Sequence, residues 1–255
     1  MSRSFPPIRT LLPAEHGSWF MLGFPLVLGL LLRPSWPGLS LGVAALAFFL
    51  ARPPLRRVLT GQRDPLQVRA LLMFGCLAGT FGALALWLSG LRFLIPLVFT
   101  APLVILALRA DLQRAVRSLA VELAAQGAFA GLAAAIVVAG GGSLPGAGRT
   151  WLLVTLLGGA NLAHVRRLLG HAHHLAQEEL DRRRIPVHAL HLLLIAVSAL
   201  LLAPRGTAGL VWTGWAGLLY LRALVPYRPI PARTLGWREG GLSALGLLLL
   251  WRALL

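Results

Sequence analysis

Nine stretches of the chain carry no Asp, Glu or Arg, and short charged connections separate them: residues 16–32, 34–51, 70–91, 93–108, 123–148, 150–165, 185–204, 206–221 and 240–251. A helix needs about 20 apolar residues to cross a hydrocarbon core. Several runs are shorter, but arginines at their ends can snorkel, so each helix extends a turn past its charge-free run. The fifth run is long, and its tail at residues 140–146, GGGSLPG, reads as a loop. The ninth is the weakest span and needs Arg252 at the far interface. No repeat of 20–50 residues stands out. The pattern predicts an all-α integral membrane protein of nine transmembrane helices, one polytopic domain over residues 1–255.

The connections alternate in charge. Of the 24 basic residues, all arginine, 19 fall in the N-terminal segment and in the loops after spans two, four, six and eight, and Arg33, Arg92, Arg149, Arg205 and Arg252 fall on the other side. Short basic loops stay in the cytoplasm, so the N-terminus is expected inside and the C-terminus outside, in an inner (plasma) membrane. All eight acids, Glu15, Asp64, Asp111, Glu122, Glu178, Glu179, Asp181 and Glu239, join the cytoplasmic side.

Composition agrees. Of 255 residues 57% are hydrophobic and 13% charged, about half the charge of a soluble domain, so lipid must solvate the bulk. The net charge of +16 is no sign of a nucleic-acid binder, because the arginines sit in short clusters between apolar runs and not on one solvated face. No signal peptide is expected at the N-terminus. Cys76 reads as a small core residue. The eight tryptophans lie mostly near run ends and read as interfacial anchors.

Four places carry candidate chemistry. Glu15 and His16 sit side by side at the first span's start, as a cation or phosphate-metal ligand pair, a proton relay, or simply an interfacial helix start. Glu122 and Glu239 open spans five and nine, near arginines and at the favourable end of a helix dipole; with Glu15 they could converge on one cavity. The stretch from Asn161 and His164 to Arg166 and beyond holds six of the seven histidines. On a continuous helix Asn161, His164, His171 and Glu178 share a face, and the spacings of His171, His174 and Glu178 suit metal ligation, though no third fixed ligand is evident. Finally, Arg52-Pro53-Pro54-Leu55-Arg56-Arg57 follows span two. Arginine forks bind phosphate well, but most of these arginines serve topology and anionic lipid. Arg52 and Arg166 are the exceptions, standing where a cytoplasmic cavity would open.

The opening Ala14-Glu15-His16-Gly17-Ser18-Trp19 resembles the "EHGAW" start of the YwiC-like membrane proteins, with Ser18 in place of Ala. Arg52-Pro53-Pro54, Arg117-Ser118-Leu119 leading to Glu122, His164-Val165-Arg166, and Leu235-Gly236 leading to Glu239 extend the likeness over nearly the whole chain. That family implies no settled activity. More distantly the chain resembles the UbiA-type intramembrane prenyltransferases, which have nine helices, an N-terminus inside and a cytoplasm-facing site. Their aspartate-rich, magnesium-holding motifs after helices two and six are missing here, which argues against ordinary prenyl transfer.

The expectation is a UbiA-like bundle whose partner is membrane lipid. It binds an isoprenoid or quinone-type lipid in a cytoplasm-facing cavity lined by Glu15, His16, Arg52, Glu122, Asn161, His164, Arg166 and Glu239, with no cofactor assigned. A small-solute or proton transporter and a non-catalytic assembly protein are the alternatives. A polar path between both faces marks the first, and neither path nor lateral slot the second.

Overall fold

The computed structural model describes residues 16–61, 64–113, 118–225 and 232–255. They form nine helices: α1 (His16–Leu32), α2 (Trp36–Leu59), α3 (Pro65–Ser89), α4 (Leu94–Leu112), α5 (Leu119–Ala139), α6 (Leu144–Ala172), α7 (Gln177–Leu202), α8 (Thr207–Leu224) and α9 (Ala232–Leu254). Five helical segments, Trp36–Leu59, Pro65–Ser89, Leu91–Leu112, Leu119–Ala139 and Gln177–Arg205, are long and apolar enough to cross a membrane. The chain is a multi-pass membrane protein.

Helix ends follow local chemistry. Ser35, Asp64, Ser118 and Ser143 each accept a backbone N–H of the first turn. The cap at Ser143 corrects the expected loop at residues 140–146: with Pro145 in the first turn, α6 starts at Leu144, and only residues 140–143 turn. At the other end α6 stops at Ala172, where His174 takes a left-handed φ of 52°. The continuous helix that would align His171 with Glu178 is therefore broken.

Helix α5 is the hub. In its apolar 18-residue stretch 67% of the positions are buried, against 6% in that of α3, and it packs on α1, α2, α4 and α6. Small residues permit this close approach. At Gly131 an added Cβ would lie 2.5 Å from Thr100 Oγ1 on α4, and at Gly158 it would overlap the Gln126 amide of α5. That amide donates to Val154 O across the same seam.

The pairings α5–α6, α6–α7, α7–α8, α8–α9, α9–α1 and α1–α5 close a ring of six helices, with α2, α3 and α4 outside it. One half of the ring is filled by Leu28, Leu153, Leu194, Leu202, Trp212, Ala216 and Leu250, all buried. At that end Trp251 Nε1 donates to Leu31 O, and Arg205 caps the last carbonyls of α9. Trp212 is fully buried and donates to Ser198 Oγ, so it is a core residue, not an anchor; Trp36, Trp87 and Trp237 are exposed at helix ends. Cys76 is exposed on α3, where the peripheral helix turns outward, and is not a core residue.

Candidate functional site

The opposite, arginine-rich half of the ring is polar inside. Along α6 the positions Ala160, His164 and Arg167 recur at helical spacing on the buried face. The His164 ring meets the buried ring of His191 on α7 edge to face, centroids 6.4 Å apart. His191 Nδ1 lies 2.8 Å from Val187 O; a carbonyl only accepts, so Nδ1 carries the proton. His191 also leans on Tyr220 of α8, whose hydroxyl lies 3.0 Å from His188 Nδ1. Two residues on, Arg222 Nη1 donates to both oxygens of Glu239 on α9, at 2.7 and 2.8 Å. Beside it Arg167 Nη1 donates to Ala223 O at 3.0 Å. Ala163, Val187 and Ala223 pack together and hold α6, α7 and α8 in register here.

The expected site residues separate into groups. Glu239 and His164 belong to this interior node, and half-buried Asn161 lies one turn from His164 on α6. Glu122 accepts from Arg166 Nη1 at 2.7 Å and staples α5 to α6. That seam borders a cleft of about 200 Å³ lined by the apolar Leu119, Ala163 and Pro186 and by the charged Arg166, Arg182, Arg183 and Glu179. Arg52 donates through Nε to buried Asp111 at 2.8 Å, with Arg56 at 3.5 Å. It ties α2 to α4 outside the ring and is not brought to His164. Glu15 lies outside the described residues, and of His16 only the backbone at the start of α1 is described.

The metal reading of His171, His174 and Glu178 is not supported: His171 ends α6, His174 sits in the turn, and Glu178 pairs with Arg182 one turn along α7. Among the described residues no three His, Cys, Asp or Glu side chains gather as a metal site. Sequence reasoning missed four members of the node, Arg167, His191, Tyr220 and Arg222. For Arg167 the signal was present, as it falls on the small-residue face of Ala160 and Ala163. No signal in the sequence pairs Arg222 with Glu239.

Neither curated proteins nor solved structures gave a match to the chain. Residues 12–138, which take in α1 to α4 and nearly all of α5, match the model of a family described as YwiC-like protein.

Proposed function

We propose that the chain is a YwiC-like protein over its whole length, with nine spans, its arginine-rich face in the cytoplasm and a UbiA-like arrangement of helices. It holds an isoprenoid or quinone-type lipid by its headgroup at that face. The observation that carries the reading is the division of the six-helix ring. His164, Arg167, His191, Arg222 and Glu239 gather at one end, while Leu28, Leu153, Leu194, Trp212 and Leu250 fill the other. Polar side chains buried in a membrane bundle are costly and mark ligand sites. A transporter for protons or small solutes needs polar groups continuing to the far face, and that apolar half interrupts them. A ligand with a polar head and an apolar body suits a one-sided site. The cleft lined by Leu119, Ala163 and Pro186 lies at the polar end, since Ala163 precedes His164 on α6.

The donor set does not fit magnesium-diphosphate chemistry. Asp111, Glu122 and Glu239 each accept from an arginine, so none is left as part of a carboxylate pair for a hard cation. Native mass spectrometry of the protein extracted in mild detergent tests the lipid reading. One isoprenoid or quinone-type lipid per chain is expected, and retention of bulk phospholipid alone overturns it.

A further inference from the structure

Inside the ring lies a positive charge without a counter-charge. Arg167 is 9% exposed, yet among the described residues it forms no ion pair. Its Nη1 donates to a backbone carbonyl, and its Nε is buried with no partner. Asp181 acts on it from a distance, but that carboxylate pairs with Arg184. Glu239 does not serve either, since both its oxygens accept from Arg222. A buried guanidinium is ordinarily paired, because taking it out of water is expensive.

Two more buried nitrogens beside it have no hydrogen-bond partner, Arg222 Nε and His164 Nδ1, and His164 is 4% exposed. The three are neighbours: Arg167 reaches the carbonyl of Ala223, the residue after Arg222, and His164 lies one turn before Arg167 on the same buried face of α6. Glu239, the one carboxylate of the node, matches Arg222 and leaves Arg167 without a counter-charge. A metal cation is excluded by that balance, and a neutral ligand would leave Arg167 unpaired.

We infer that Arg167, Arg222 and His164 form an oxyanion site in the arginine-rich half of the ring, taking a phosphate or carboxylate group, whether carried on a lipid or free in solution. The free Nε–H groups of the two guanidinium groups, with His164 in its Nδ1–H tautomer, would supply three donors, and arginine forks match an oxyanion's oxygens in geometry and charge. No metal is needed. The inference deepens the lipid reading by naming the headgroup's chemistry, and rests on it only for the lipid as the source of the anion.

The test titrates inorganic phosphate and farnesyl monophosphate into the full chain in zwitterionic phosphatidylcholine nanodiscs, reading the thermal midpoint and the ³¹P line width. Saturable binding of both at one site per chain is expected, farnesyl monophosphate the tighter. Arg167→Gln and His164→Ala each weaken both by about tenfold or more, the loss of one charge-assisted hydrogen bond or one aligned donor, and exposed Arg69→Gln changes neither. Phosphate binding without any gain from the farnesyl chain leaves the oxyanion site standing and removes the lipid reading. Absence of saturable phosphate binding to the wild type overturns the proposal whatever lipids copurify, as does binding by Arg167→Gln equal to the wild type. If Arg167→Gln does not fold, the wild-type titration and His164→Ala decide alone.

Discussion

Replacing Glu239 by leucine strips Arg222 of its carboxylate. The side chains are only 14% and 10% exposed, and both Glu239 oxygens lie within 2.8 Å of the guanidinium. At that burial water replaces the lost partner poorly. Breaking a buried pair by removing one member costs about 3–5 kcal/mol. For a chain of this size that lowers the thermal midpoint by roughly 6–20 °C, at about 2–4 °C per kcal/mol. Arg222→Met leaves Glu239 bare and costs a similar amount. The double substitution removes both charges together, and such apolar replacements are often neutral, so it recovers most of either loss. Tryptophan fluorescence melts of the four proteins in one detergent measure the cycle. A single-substitution loss below about 1 kcal/mol, the behaviour of an exposed pair, refutes the reasoning, as does a double variant no better than the sum of the singles.

Other outcomes follow from the same geometry. Asp111→Asn, which leaves Arg52 and Arg56 without their shared carboxylate, lowers the midpoint markedly, while Glu178→Gln, at an exposed pair on one helix worth roughly 0.3–0.5 kcal/mol, barely moves it. Gly131→Leu forces α4 and α5 apart at Thr100 and destabilises by about 1–3 kcal/mol or more, whereas Gly79→Leu, with nothing within 4 Å of its added Cβ, leaves melts unchanged. Reporter fusions at Gly61 and Arg183 give cytoplasmic signals and fusions at Gly146 and the C-terminus external ones; a cytoplasmic C-terminus removes a helix from the count and ends the UbiA-like comparison.

The charge-free runs located each of the nine α-helices among the described residues, because in lipid the cost of a charge is the dominant local signal. They misjudged the ends. Helix α2 runs through Arg52, Pro53 and Pro54 to Leu59, and α6 through Arg166 and Arg167 to Ala172, because ion pairs with Asp111 and Glu122 satisfy Arg52 and Arg166, and a backbone carbonyl accepts from Arg167, without ending the helix. Site membership was harder to read, since one residue along a helix turns a side chain by about 100°. Arg166 therefore faces α5 and Glu122, while its neighbour Arg167 faces α8 inside the ring. Choosing between them requires knowing which helices flank α6. The same holds for Arg52, whose place at a span end suggested a cavity until α4 brought Asp111 against it.

The central claim is that the ring's polar half opens to the cytoplasm and is closed toward the far face. Sided thiol labelling tests it most directly. In a Cys76→Ser background, His164→Cys and Leu153→Cys place single thiols on α6, one in the polar node and one in the apolar core. A small anionic methanethiosulfonate is applied to inside-out and right-side-out vesicles. The account predicts reaction of His164→Cys from the cytoplasmic side alone and no reaction of Leu153→Cys from either side. Labelling of His164→Cys from the outer side, labelling of Leu153→Cys at all, or failure of His164→Cys to react in either vesicle contradicts it.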